Sequence, residues 1–196
     1  MAKLIIEGQK KLDGIIKIQG AKNSILPILA ASLIPEGESI IENCPDISDT
    51  ETAVEILSSL GCRIKKENKI LVINSQNITD HQIEDSLMRK MRSSIMFLGA
   101  ILSRTNKARI SMPGGCELGP RPIDLHLESL KKLGVEITDQ NGYLECTCPN
   151  GLKGAVINLS FPSVGATENI MLAAVLAKGN TLIYNAAREP EIEDLQ

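Results

Sequence analysis

The chain has 196 residues, 43% of them hydrophobic, with a formal charge of −3 and no tryptophan. That length buries a real core, and the composition is that of a globular protein rather than a disordered one. Two Phe, two Tyr and a slightly acidic balance leave neither stacking platforms nor a basic stripe, which sets nucleic acid aside as a partner.

The first residues open directly into apolar runs, at 4–6 and 15–18, that read as short strands flanking Gly8 and Gly14. With no signal-peptide layout ahead of them, a cytoplasmic protein is expected. After Gly20, residues 24–33 carry Ile25, Leu26, Ile28, Leu29 and Leu33 at helical spacing, so Lys22 and Asn23 stand at a strand-to-helix junction. A lysine there is ordinarily a solvated charge, yet it is also where an ammonium reaches a phosphate held by backbone amides. The apolar run 25–34 is broken by Pro27 and Ser32 and stopped by Pro35, too short for a membrane span, so no membrane partner is expected.

Residues 37–41 read as a strand, 49–60 as a helix stopped by Gly61, and 62–64 with 70–73 as a hairpin across Glu67 and Asn68. Residues 76–89 are polar and carry no clear period. A basic cluster at 88–92, including Arg92, leads into an apolar helix at 95–102. Such a run is ordinarily a solvated face and becomes an anion clamp only if it meets the loop that follows. A strand at 108–111 feeds that loop.

Residues 111–126 read Ser-Met-Pro-Gly-Gly-Cys-Glu-Leu-Gly-Pro-Arg-Pro-Ile-Asp-Leu-His. The prolines and glycines break both periods, leaving a loop with one thiol, Cys116, and one guanidinium, Arg121. A lone cysteine is ordinarily a small buried hydrophobe. Here glycines leave the sulfur unshielded, and nearby cations favour its thiolate, which makes Cys116 a candidate for covalent or acid/base work. Pro122 suits a first helical turn, and Ile123, Leu125, Leu127, Leu130 and Leu133 form an apolar face ending at Gly134. A helix start just after Arg121 offers N–H groups and a positive dipole end to an anion, so thiol, arginine and helix start read as a site for a phosphorylated substrate.

Beyond it, 135–137 and 143–146 read as a hairpin, 156–159 as a strand, 168–177 as an apolar helix, 181–184 as a last strand, and Pro190 as another helix start. Five cysteines (Cys44, Cys62, Cys116, Cys146 and Cys148) are odd in number and irregular in spacing, so they are expected to be reduced thiols. Cys146-Thr147-Cys148 lacks the two-residue spacer of a zinc knuckle, and with only two histidines, His81 and His126, no metal site is expected.

The order helix, strand, loop, helix, Leu-Gly, strand occurs twice. Leu60-Gly61-Cys62 aligns with Leu133-Gly134-Val135 at a period of roughly 70 residues, and a third copy opens at Glu168. This predicts an α/β domain of three pseudo-equivalent units, the third truncated.

Five segments together resemble the family of UDP-N-acetylglucosamine 1-carboxyvinyltransferase, an enolpyruvyl transferase. They are Gly20-Ala21-Lys22-Asn23 with Leu26-Pro27-Ile28-Leu29, then Met91-Arg92-Ser93-Ser94-Ile95, then the Pro-Gly-Gly-Cys loop through His126, then Ser163-Val164-Gly165-Ala166-Thr167, then 185–192. The resemblance implies an inside-out α/β barrel, helices inside and sheets outside, in chains built from two such domains with the active site between them. This polypeptide is thereby expected to be an N-terminal portion: residues 1–20 as strands that pack with the second domain, and residues 21–196 as the loop-bearing domain. It also implies phosphoenolpyruvate and UDP-N-acetylglucosamine as substrates, no cofactor, and a role in peptidoglycan synthesis. By residue, it implies Cys116 as general acid and fosfomycin target, and Lys22, Arg92 and Arg121 as holders of phosphoenolpyruvate. Asn23 is implied as a sugar contact, Pro122, Ile123, Asp124, Leu125 and His126 as the uridine segment, and Ser163, Val164 and Gly165 as neighbours of the diphosphate. Some members carry a lysine just ahead of that Ser-Val-Gly, where this chain has Phe161-Pro162. The aspartate base of the family has no counterpart here, so negligible turnover by this chain alone is expected. The alternatives are the shikimate-pathway enolpyruvyl transferase and a non-catalytic nucleotide-sugar-binding or partner-docking domain.

Overall fold

A computed structural model describes residues 3–113 and 123–196. The first unit runs α1 (Lys22–Ala31), β1 (Glu38–Ile41), α2 (Ser48–Ser59), β2 (Arg63–Glu67) and β3 (Ile70–Asn74). A short helix α3 (Asp85–Lys90) and a 3-10 turn (Arg92–Met96) lead into the second unit: α4 (Phe97–Thr105), β4 (Lys107–Ser111), α5 (Asp124–Lys132), β5 (Glu136–Gln140) and β6 (Tyr143–Thr147). Strand β7 (Val156–Asn158) precedes the third, which contains α6 (Val164–Ala174), β8 (Leu182–Tyr184) and α7 (Pro190–Leu195).

The repetition expected from the sequence is topological as well. Both three-stranded sheets are antiparallel with the hairpin's second strand in the middle, in the orders β1-β3-β2 and β4-β6-β5. Both second helices stop the same way, with a glycine in the left-handed region: Gly61 at φ +105° and Gly134 at φ +97°. The next N–H then reaches back, Cys62 to Leu57 O at 3.0 Å and Val135 to Leu130 O at 3.1 Å, capping carbonyls the helix leaves open. A β-carbon at either position would meet the φ penalty that glycine avoids.

The core is helical and the sheets form its cover. In α4 every residue from Phe97 to Ser103 is buried, whereas β2 and β5 are mostly exposed and β3 and β6 alternate between core and surface. Helices α4 and α6 approach closely enough that a β-carbon on Gly99 would lie 2.3 Å from the Asn169 carbonyl oxygen. Only hydrogen fits at that crossing. Leu26, Leu29, Leu33, Ile56, Leu57, Leu98 and Ile170, all at most 1% exposed, fill the space between the inner helices.

Three expectations change. The strands at 4–6 and 15–18 are not formed: residues 3–20 carry no regular structure, with Ile6 at 81% and Ile15 at 102% exposure. A strand needs a ladder, and no described strand pairs with this segment. The third inner helix starts at Val164, four residues earlier than its apolar run suggests, because Ser163 caps it by accepting a bond from the Ala166 N–H at 3.3 Å. The helix expected at 95–102 is split into the 3-10 turn and α4, which extends to Thr105 and ends at Asn106 in the left-handed conformation. The polar stretch 76–89 contains α3 and a parallel bridge from Gln82 to Arg109.

Candidate active site

Each unit contributes the beginning of its inner helix to one place. The starts of α1 (Asn23), of the 3-10 turn before α4 (Arg92, Ser93) and of α6 (Ser163, Val164, Gly165) line a single cleft of about 560 Å³. His126 from α5 and Glu189 and Glu191 around the start of α7 complete it, with Glu168, Phe161 and Pro162. Helix starts expose N–H groups and a positive dipole end, so a cleft built from several of them suits an anion. Arg92 adds a full positive charge.

Helix α1 contains Pro27 in its interior. Proline has no N–H, so the Asn23 carbonyl lacks its usual partner four residues on. The Asn23 side chain is also fixed: Nδ2 donates to Glu191 Oε1 at 3.2 Å. Next to it, Ser24 Oγ donates to Asp194 Oδ2 at 2.5 Å, so α7 clamps the start of α1.

Asn169 sits at the α4–α6 crossing, fully buried. Its Oδ1 accepts the Gly99 N–H at 2.7 Å, and its Nδ2 lies 3.0 Å from the Ile95 carbonyl and 3.0 Å from His126 Nδ1. An amide NH2 can only donate, so His126 Nδ1 is the acceptor and its proton belongs on Nε2. Burial, and then the Arg92 guanidinium, hold the His126 pKa down to about 4. The ring is neutral and packs against Gly165, where a β-carbon would lie 3.3 Å from Cε1.

Glu168 is the opposite case. It is 3% exposed, and burial followed by the charges of Glu191 and Glu189 raises its pKa to about 8. Near neutral pH this carboxyl is an acid facing the cleft.

Of the residues singled out from sequence, the structure gathers Asn23, Arg92, His126, Ser163, Val164 and Gly165 around the cleft. Ile123 is buried at the start of α5, Leu125 is half-buried, and Asp124 is exposed in the first turn of that helix. Lys22 is half exposed and pairs with Asp49 at 2.5 Å, outside the cleft lining. Cys116, Arg121 and Pro122 lie outside the described residues. Sequence reasoning missed Glu168, Asn169, Glu189 and Glu191. The only signal for Glu168 and Asn169 was a charged and an amide residue interrupting an apolar helical run. Among the described residues no group of three His, Cys, Asp or Glu side chains is placed to hold a metal, and no helix is long and apolar enough to cross a membrane.

Compared with known proteins, the chain is 54% identical over 196 residues to UDP-N-acetylglucosamine 1-carboxyvinyltransferase 2 of Caldanaerobacter subterraneus, covering all of this chain and 47% of that protein. It is 49% identical over 197 residues to UDP-N-acetylglucosamine 1-carboxyvinyltransferase 1 of Symbiobacterium thermophilum, covering 98% and 45%. The chain thus spans about half the length of the curated relatives it matches. Among solved structures, the enolpyruvyl transferase NikO from Streptomyces tendae superposes with a TM-score of 0.81 at 22% identity, over 96% of this chain and 44% of that one. An EPSP synthase from Acinetobacter baumannii superposes at 0.70 and 20% identity, over 92% and 42%. These two likenesses establish a shared enolpyruvyl-transferase-type mixed α/β fold. Residues 6–196 match the family described as EPSP synthase (3-phosphoshikimate 1-carboxyvinyltransferase), and the chain belongs to that family.

Proposed function

We propose that this chain forms one wall of an active site that transfers the enolpyruvyl group of phosphoenolpyruvate to the 3′-hydroxyl of UDP-N-acetylglucosamine. That reaction is the first committed step of peptidoglycan synthesis and takes place in the cytoplasm. The observation that carries the reading is the convergence of three helix starts with Asn23, Arg92 and neutral His126 on one cleft. Relatives named for that reaction, 45–54% identical, favour it over transfer to shikimate 3-phosphate.

In this reading both substrates are anions, and rate comes from positioning and from charge fixed in advance around the reacting atoms. Ser163, Val164 and Gly165 at the start of α6 receive the diphosphate, and residues 122–126 receive the uridine. Asn23 contacts the sugar. Lys22, Arg92 and Arg121 hold the phosphate and carboxylate of phosphoenolpyruvate, which requires Lys22 to exchange Asp49 for substrate. Cys116 gives its proton to C3 of the enol and the sugar hydroxyl attacks C2; the tetrahedral adduct then loses a proton from C3 as inorganic phosphate leaves C2, which restores the double bond. The base that takes the hydroxyl proton comes from sequence corresponding to the other half of the relatives' length, which also packs on residues 3–20. No cofactor takes part.

The test is the intact mass after incubation with fosfomycin. One adduct on the wild-type chain and none on Cys116→Ser is expected. No adduct, or an adduct surviving in the variant, overturns the assignment of Cys116. In parallel, UDP-N-acetylglucosamine raises the melting temperature and shikimate 3-phosphate does not; the reverse result favours the shikimate-pathway reaction.

A further inference from the structure

The amide of Asn23 has two ends of similar size and opposite character. Its NH2 donates and its oxygen accepts, so the neighbour that holds one end decides which end the cleft receives. That neighbour is Glu191, at the start of the third unit's last helix, whose Oε1 takes the Asn23 NH2 at 3.2 Å. An ionised carboxylate can only accept, and while Glu191 is ionised the amide cannot turn over. A protonated Glu191 would donate as readily to the amide oxygen.

Glu168 stands behind this pair, lining the same cleft at 3% exposure. Burial, and then the charges of Glu191 and Glu189, keep the proton on Glu168 near neutral pH. Glu191 is half-buried and its Oε1 is the acceptor of the Asn23 amide N–H. The other charged or titratable groups on the surrounding elements are Arg92 and His126 across the cleft, Glu189 ahead of α7, Lys22 paired with Asp49, and Asp194 held by Ser24.

We infer that Glu191, backed by Glu168, is a positioning residue that locks the Asn23 amide with its oxygen toward the cleft, so that this point selects ligands bearing a hydrogen-bond donor, such as a sugar hydroxyl or acetamido N–H. The inference rests on the reading of the cleft as a nucleotide-sugar site. The clamp joins residues 23 and 191, so the first unit's contact with ligand is set by the third unit.

Two measurements on the whole chain test it. In the absence of ligand, the Asn23 side-chain amide signals, identified by their loss in Asn23→Ala, shift in Glu191→Gln and return toward their original place in Glu191→Asp. Signals that do not move in Glu191→Gln overturn the lock, whatever the cleft binds. For binding of UDP-N-acetylglucosamine by calorimetry, Glu191→Gln weakens affinity roughly tenfold, equivalent to about 1.4 kcal/mol. In the Asn23→Ala background the same change has no further effect, because the two residues act as one. An undiminished effect in that background makes Glu191 an independent contact or a structural residue and overturns the inference. Failure of the wild-type chain to bind the nucleotide sugar at all counts against the proposed function, while the amide spectrum judges the lock separately.

Discussion

The first and second units share their helices, their sheet order and their Gly-ended second helices, yet they differ in what joins the first strand to the second helix. In the first unit, residues 42–47 suffice. They bury Cys44 at 5% exposure with its N–H bonded to the Lys69 carbonyl at 2.9 Å, and burial raises the thiol pKa. In the second, residues 112–123 make the same connection at twice the length and carry Cys116. One scaffold position therefore holds a structural thiol in one copy and a candidate reactive thiol in the other. Scaffold and chemistry are separable because the sheets and helices fix where the loop leaves and returns, while its length and sequence decide what it presents.

The same comparison holds inside the helices, and there it can be broken by mutation. Ser24-Ile25 and Ser94-Ile95 mark equivalent places in the repeat, which puts Leu29 of α1 opposite Gly99 of α4. Leu29 fills core space, whereas Gly99 leaves room for the Asn169 backbone. Of all single changes at these paired positions, Gly99→Val should be the most damaging. It drives a side chain into a carbonyl 2.3 Å from where its β-carbon must sit, and destabilisation of about 3 kcal/mol or more is expected by urea unfolding. Leu29→Ala, a change in the opposite sense, is expected to cost about 2–5 kcal/mol through the cavity it leaves. Tolerance of Gly99→Ala, whose β-carbon meets the same carbonyl, with a loss below about 1 kcal/mol would show that the crossing relaxes and that the two positions are not opposites.

The next largest effect is on pH dependence, where two buried groups act in opposite directions. His126, held down to about 4 in the folded chain, binds its proton more readily when unfolded, so its contribution is lost as pH falls from about 6.5 towards 4. Glu168, raised to about 8, binds its proton more readily when folded, so stability falls as pH rises from about 4.3 to 8. Between about 4.3 and 6.5 the two slopes offset each other. Above that only Glu168 remains, with a loss on the order of 2 kcal/mol by pH 8. Denaturant midpoints measured from pH 5 to 8.5 should show a plateau followed by a decline, and Glu168→Gln, which leaves only the His126 slope, should show a rise to about pH 6.5 and no decline above it. A decline unchanged in the variant assigns it to another group.

The smallest expected effect sharpens the loop comparison directly. Cys44→Ala is expected to lower stability by about 1 kcal/mol, the scale of a small buried group, and to leave the fosfomycin adduct intact. A thiol-specific reagent should modify Cys44 only as the protein unfolds. Rapid modification of native Cys44 would erase the distinction between the two copies.

Much of this was legible from local patterns. The apolar spacing of α1 and α2, the hairpins, the Leu-Gly stops and the repeat could all be read along the chain, because each is dictated by neighbours within a few residues. The candidate substrate contacts Asn23, Arg92, His126 and 163–165 were marked by the resemblance, and it was the packing of the units that brought them to one cleft. The differences have separate causes. Residues 4–6 and 15–18 have strand composition, but a strand exists only where another offers its hydrogen bonds. The Ser163 cap moved the start of α6 because a side-chain oxygen outcompeted apolar period as the starting signal.

What the sequence determined by itself was the order of elements, the pseudo-equivalence of the units and the chemical types available: one loop thiol, a few cations and several helix starts. Only the tertiary structure decided which residue acts on which, since it packed an amide at 169 against a histidine at 126 and turned a glutamate at 191 toward an asparagine at 23. It also decided charge. The desolvation that leaves His126 neutral and Glu168 protonated comes from residues distant in the chain, and no local pattern records how much water a folded neighbourhood will exclude.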